Sequence, residues 1–311
     1  MNDAVRVFAP ATVANVGVGF DILGFALDRP GDEIIVKWVD EPGLRISEIT
    51  GTGDKQLPLA VEENTAGFAA QRMLEYLGES RGIEMAIHKK MPFGSGLGSS
   101  AASAAAGVMA INELLGQPLS KREMLGFAVA GEEIADGAYH ADNVAPSLLG
   151  GIVFIRDNAT LDVHELPVPD DLYAAVLYPS VEILTKDARD VLSDQVSLRQ
   201  SIEQNGNLGA MLIALYEQDY ELLGRSLHDV IIEPQRASLI PHFAQVKAAA
   251  LSAGALGASI SGAGPSMFAL CRGAEVANRV GVAMQAVYAS TSIITQLFVS
   301  PINKKGAIRI S

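Results

Sequence analysis

The 311-residue chain holds one cysteine, Cys271, and one tryptophan, with aromatic residues at 6% of the total. A single cysteine excludes an intrachain disulfide and any metal site built from clustered thiolates. Positive charge is scarce too. Lys and Arg number 23 against 36 Asp and Glu, a formal charge of −13 at pH 7, so no nucleic-acid partner is expected. No apolar run approaches the ~20 residues of a membrane-spanning helix. The longest weakly polar stretch covers residues 101–111, so no membrane association is expected. No apolar leader follows Met1-Asn2-Asp3, and the expected location is a reducing cytoplasm. Two common phosphate loops are missing as well. There is no G-x-x-x-x-G-K-[ST], and the run starting at Gly94 fails G-x-G-x-x-G because Ser99 stands last.

What is present suits a folded α+β protein. Apolar residues make up 49%, enough for an extensive core shared by two domains. Strands are expected at 5–8, 33–39, 83–88, 152–156, 172–178, 257–261, 266–271 and 293–299. Helices are expected at 64–78, 101–111, 198–217, 220–229, 241–253 and 275–288, with another opened by a Ser120–Glu123 capping box and running to about 135. Residues 9–24 read as a glycine-punctuated loop. The turn-rich stretch 157–169 marks the domain boundary, giving domains 1–165 and 166–311.

Residues 92–103 read Pro-Phe-Gly-Ser-Gly-Leu-Gly-Ser-Ser-Ala-Ala-Ser. Gly94, Gly96 and Gly98 permit left-handed backbone and leave room for a close ligand. Ser99 and Ser100 stand where N-cap residues stand, ahead of an alanine-rich helix. The first N–H groups of such a helix lack internal partners and its dipole favours negative charge, so the segment is an anion site, most simply for phosphate.

Four further clusters carry polar chemistry. Asn15 and Asp21 can shape Asx-turns or contact a ligand. Of Glu132 and Glu133, adjacent on a helix and so about 100° apart, only one can face a site. His140, Asp142 and Asn143 share a loop. Arg189 and Arg236 are either solvated surface residues or forks for a carboxylate. The glycines of residues 257–266, Gly-Ala-Ser-Ile-Ser-Gly-Ala-Gly-Pro-Ser, fit either a tight hairpin or a close approach to a ligand.

The run P-x-x-x-G-L-G-S-S-A-A resembles the nucleotide loop of the GHMP kinases, which phosphorylate small molecules such as galactose, homoserine and mevalonate. Residues 9–24, the H-x-D-N-V-A-P run from His140, and residues 257–266 resemble the homoserine-kinase branch in family order. The resemblance implies an N-terminal domain like ribosomal protein S5 domain 2 and a ferredoxin-like C-terminal domain. It implies ATP, held by Pro92, Gly94, Ser95, Gly96, Leu97, Gly98, Ser99 and Ser100, with Lys89 adding charge. It implies Mg2+ on Glu132 and Ser99, and L-homoserine bound by Asn15, Asp21, His140, Asp142, Arg189, Arg236 and Gly262. Asp21, Glu132 and Arg189 are the expected catalytic residues, Asp21 as base or as a positioning group. A homodimer is possible on the same grounds. The competing expectations are a kinase of another small alcohol and a non-catalytic binding protein on this fold.

Overall fold

The computed structural model describes residues 4–53, 55–137, 139–183 and 185–311; the opening Met1-Asn2-Asp3, on which the expectation of no leader rests, lies outside them. Strand β1 (Val5–Ala14) pairs antiparallel with the 17-residue β2 (Leu23–Val39). The start of β1 alternates in burial, but residues 9–14 are buried on both faces. A strand covered on both sides shows no apolar alternation, so the loop expected over 9–24 shrinks to the turn between Ala14 and Leu23. Next come β3 (Leu44–Thr50), α1 (Thr65–Leu77) and β4 (Gly82–His88), with β3 and β4 parallel across the α1 connection. Asn64 caps α1 by accepting from Ala66 and Gly67, and Gly78 ends it in left-handed conformation.

Helices α2 (Ser99–Leu114), α3 (Lys121–Asp136) and the short α4 (Val144–Leu149) follow, then the hairpin β5 (Ile152–Asp157) and β6 (Asp162–Leu166). Helix α2 is buried nearly all round between β1, β2, α1 and α3, which its alanines permit by leaving little side chain to accommodate. The second half contains β7 (Leu172–Pro179), α5 (Thr185–Asp190), α6 (Leu198–Glu217), α7 (Tyr220–Ser226), α8 (Glu233–Arg236), α9 (Phe243–Ser252), β8 (Gly257–Ile260), β9 (Met267–Arg272), α10 (Ala274–Ala286), β10 (Thr295–Pro301) and β11 (Ile308–Arg309).

Two sheets result. The first runs β11-β1-β2-β4-β3, with β5 branching from the start of β2 and carrying β6; the second runs β10-β7-β9-β8. The expected boundary at 165 falls at the end of β6, inside the hairpin that the turn-rich composition concealed. Residues 166–311 are not a closed unit, because β11 returns to pair with β1 at Val7 and Phe8. One core also crosses the division. Phe25 of the first sheet meets Phe268 of the second edge-to-face, ring centres 5.9 Å apart, and both are fully buried.

That shared core predicts a single unfolding transition. Phe268→Ala is expected to cost about 3–5 kcal/mol and to move the whole urea transition, with intrinsic fluorescence and far-UV circular dichroism remaining coincident; separate midpoints would show two independently folding halves.

Candidate active site

The glycine-rich loop reaches α2 through Gly98, which is the N-cap in left-handed conformation (φ 64°). Ser99 and Ser100 are therefore the first two helical residues rather than caps. No larger residue fits at Gly98: a Cβ there would lie 2.1 Å from Thr12 Oγ1 and 2.7 Å from Asn143 Oδ1. Those two groups hydrogen-bond to each other at 2.7 Å, and Thr12 N donates to Leu97 O at 3.0 Å, stapling the loop to β1 and α4. The segment before β9 clamps its other side. Ser261 Oγ donates to Gly96 O at 2.6 Å and Ser266 N to Ser95 O at 3.2 Å.

The turn after β1 forms the opposite wall. Asn15, Val16 and Asp21 all have positive φ, of 68°, 42° and 60°. For the β-branched Val16 this is costly, and it persists because neighbouring bonds over-determine the turn. Asn15 Oδ1 accepts from Asp21 N at 3.0 Å, and Asn15 Nδ2 donates to Gly262 O at 2.9 Å. The same carbonyl accepts from Arg236 Nη1 at 3.2 Å, while Arg236 Nε donates to Ala188 O at 2.7 Å. Two buried residues of the second half brace this turn from behind. Gln204 Nε2 donates to Val18 O at 3.2 Å and to Asp229 Oδ1 at 3.0 Å. Asp229 in turn accepts from the N–H groups of Ile231, Ile232 and Glu233, fixing the start of α8 and hence Arg236.

Between these walls lies a cleft of about 390 Å³. Its lining includes residues 94–100, Glu132 and all seven expected substrate residues: Asn15, Asp21, His140, Asp142, Arg189, Arg236 and Gly262. Pro92 does not line it. Leu57, Pro58, Asn64, Thr65 and Phe93 line the cleft beside the loop. The Asn64 amide is already engaged there, as the α1 cap and as donor to Pro58 O at 3.1 Å.

Charge is concentrated away from the loop. Arg189 grips Asp21 with two nitrogens, at 3.2 and 3.3 Å. Both arginines lie near the Phe20 ring, their guanidinium carbons 5.6 and 5.0 Å from its centre for Arg189 and Arg236. Burial, reinforced by the nearby Asp142 carboxylate, raises the Asp21 carboxyl above the ordinary aspartate range; His140 and Arg189 oppose that shift. Burial also lowers Arg236, to about 10, so it stays cationic at neutral pH. His140 Nδ1 sits 2.9 Å from Asp142 Oδ1.

Two expectations about the loop end change. Ser99 does not meet Glu132. Its hydroxyl donates to Asp32 Oδ2 at 3.3 Å, whereas Ser100 Oγ donates to Glu132 Oε1 at 2.8 Å. Successive helical side chains diverge by about 100°, and starting the helix after Gly98 turns Ser100 toward α3. Lys89, which also borders the cleft, is already paired within the protein. Its ammonium is buried and donates to Asp32, to Ser99 O at 2.7 Å and to Ser103 Oγ at 2.6 Å, which uses all three of its protons. Asp32, fully buried, is the residue that motif reasoning missed; nothing local in Arg-Pro-Gly-Asp-Glu identifies it as a partner for a lysine 57 positions away.

Family models describe both halves: GHMP kinases N terminal domain matches residues 64–151 and GHMP kinases C terminal matches residues 211–290. The chain belongs to the GHMP kinase family. A homoserine kinase of Chlorobium phaeobacteroides (strain DSM 266) is 47% identical over 315 residues, covering 97% of this chain and 98% of its own length. The crystal structure of homoserine kinase from Cytophaga hutchinsonii superposes with TM-score 0.97 at 51% identity, covering 100% of this chain and 98% of that one. Mevalonate kinase of L. major, at 16% identity and TM-score 0.72 over 97% of each chain, shares the fold.

The Lys89–Asp32 pair is expected to support stability through the loop rather than through a ligand. Lys89→Met leaves Asp32 buried and uncompensated and should cost about 3–5 kcal/mol. Adding Asp32→Leu should recover at least half of that loss; a double-mutant cycle by urea denaturation measures it, and additive losses would contradict the pairing.

Proposed function

We propose that this GHMP kinase transfers the γ-phosphoryl group of ATP to the hydroxyl of L-homoserine, giving O-phospho-L-homoserine and ADP in the route to threonine. The observation that carries the substrate assignment is the Arg189–Asp21 pair facing the cleft beside Arg236. An α-amino acid carries one ammonium and one carboxylate. On entry it can replace that internal ion pair with two of its own, its ammonium on Asp21 and its carboxylate on Arg189 and Arg236. Mevalonate has no ammonium and galactose has no charge, so neither compensates both ends. The 47% and 51% identical homoserine kinases support the same reading. The lone Cys271, buried with its thiol pushed up to about 12, suits a reducing cytoplasm.

Phosphoryl transfer needs positioning and charge neutralisation more than covalent help. The open amides of the first turn of α2 and the loop from Gly94 to Ser100 face the phosphate end of the cleft. Glu132 and Ser100 present oxygen donors there, the set a hard divalent cation takes. Mg2+ would be held by these two, with phosphate oxygens and water completing its shell, and would neutralise charge on the transferring group. Among the described residues no cluster of three or more His, Cys, Asp or Glu forms a metal cage. Asn15 and the Gly262 carbonyl set the floor against which the acceptor lies, while His140 and Asp142 flank the Asp21 end.

ADP release should be fast with L-homoserine and at background with mevalonate, galactose or shikimate. Asp21→Asn should raise KM for homoserine by about 10–100-fold, the loss of a charged hydrogen bond; unchanged kcat marks a binding role, and a fall of about 100-fold or more marks a base. The wild-type kcat/KM for homoserine should fall as pH drops through the raised Asp21 pKa, because only the carboxylate pairs with ammonium, and Asp21→Asn should lose this limb.

Ser100→Ala should raise the Mg2+ concentration for half-maximal rate at fixed ATP by at least about fivefold, while Ser99→Ala leaves it within twofold. A titration of rate against Mg2+ decides between the two serines, and the reverse pattern would restore Ser99 as the metal ligand.

A further inference from the structure

Entry of an amino-acid acceptor would strip Arg189 of its partner. The incoming ammonium takes Asp21, and Arg189 loses both of its contacts to that carboxylate, at 3.2 and 3.3 Å. Arg236 has no such dependence, being buried and pinned by the carbonyls of Ala188 and Gly262. The Arg189 side chain, by contrast, is 42% exposed and stands on the six-residue helix α5. Released beside a second cation, a long side chain of this kind turns its charged head toward water.

Phe20 is the contact that entry leaves in place. The guanidinium carbons of Arg189 and Arg236 lie over its ring, 5.6 and 5.0 Å from the centre. Both fall inside the ~6 Å within which the negative face of an aromatic ring attracts a cation. The ring is half-buried and lines the cleft. Its backbone is fixed from both sides. Gly19 N donates to Asn15 O at 2.8 Å, while Ile22 N and Leu23 N return to Gly19 O at 3.0 and 2.9 Å. The turn closes tightly enough that a Cβ on Gly19 would lie 2.3 Å from Leu23 Cβ. Asp21 N is held by the Asn15 side chain. One rigid turn therefore presents the acid and the ring side by side.

We propose that Phe20 is a positioning residue for the acceptor, a role that rests on an α-amino acid being the substrate. Its ring keeps Arg189 beside Arg236 once Asp21 has turned to the substrate ammonium, so that both guanidinium groups meet one carboxylate. Leucine at this position would offer similar apolar bulk without the quadrupole. In the empty cleft Asp21 holds Arg189 as well, so the ring matters most in the loaded state. The carboxylate is remote from the transferring phosphoryl group and is gripped alike before and during transfer. Loss of the ring therefore appears in KM for the acceptor and leaves kcat nearly unchanged.

Phe20→Leu should raise KM for L-homoserine about 5–10-fold, the loss of a desolvated cation–π contact, with kcat, KM for ATP and far-UV circular dichroism nearly unchanged. Phe20→Tyr, which keeps the ring, should restore at least half of the wild-type kcat/KM. In an Arg189→Ala background Phe20→Leu should lower kcat/KM by less than twofold further, since the group it steadies is gone. Equal losses with and without Arg189 would mean that the ring only packs against the substrate, and would overturn the proposal. A second readout needs no acceptor. In the free 15N-labelled protein the Arg189 Nε–H proton, assigned with Arg189→Lys, should be shifted upfield by the ring and lose that shift in Phe20→Leu. Wild-type protein inactive on homoserine yet showing the shift would sink the substrate assignment and retain the ring's hold on Arg189; an unshifted signal would overturn the hold itself.

Discussion

The position of the glycine-rich loop depends on an ion pair out of reach of water. Lys89 and Asp32 are 5% and 0% exposed, and the lysine also grips the Ser99 carbonyl and the Ser103 hydroxyl. Asp32 accepts from Lys90 N and from Ser103 as well, so each charge is surrounded by donors or acceptors. A buried pair of this kind adds little net stability over a hydrophobic substitute, but losing either half is costly. Its value here is placement. It ties the first turn of α2 to β2 and to the end of β4, so the helix amides stay aimed at one point in the cleft.

From that fixed turn the rest of the site is assembled by small residues and backbone. Gly98 rests on the Thr12–Asn143 hydrogen bond, and Gly96 has backbone oxygens of Ser261 and Gly264 where its Cβ would be. Gly262 N donates to Ala14 O while its own carbonyl serves Asn15 and Arg236. Three segments separated by some 80 to 250 residues therefore share direct polar contacts, and each contact needs glycine or a short side chain to let backbones meet. The two sheets bring these segments to one cleft because their cores are continuous through Phe25 and Phe268. Relative motion of the halves would open the polar contacts that the glycines make possible.

Local signals were legible where the deciding physics is local. Helix α6 runs from Leu198 to Glu217 and α1 from its Asn64 cap to Gly78, both readable from caps and periodicity. The Ser120–Glu123 capping box is formed as its spacing indicates. Failures arose where tertiary contact decides. The second half of β1 is buried on both faces and so carries no alternation, and β6 is hidden in turn-like composition but held by pairing to β5. Whether Ser99 or Ser100 meets Glu132 turns on one residue of helix start, which Gly98 settles by adopting the left-handed cap. Lys89 could be read only as a cation near a phosphate loop, because its partner Asp32 is distant in sequence.

The charge balance inside the cleft constrains how a triphosphate enters a protein of net charge −13. Its lining carries the acids Asp21, Glu63, Glu132 and Asp142 against Arg189 and Arg236, since Lys89 is already neutralised by Asp32. Both arginines sit at the Asp21 end, near Phe20. Away from that end the lining carries the carboxylates Glu63 and Glu132. Helix amides and the dipole of α2 offset only a fraction of an elementary charge, about +0.5 at a helix N-terminus. On the proposed reading a nucleotide bearing several negative charges would be repelled by Glu132 unless a cation accompanied it. The same carboxylate then becomes favourable, because it meets the divalent ion rather than the phosphate. On the proposed reading Glu132 would favour metal-bound over free nucleotide, leaving the two arginines to the acceptor's carboxylate. Meeting the nucleotide's phosphates with metal and amides, and the acceptor's carboxylate with guanidinium groups, would keep each anionic group to its own end of the cleft.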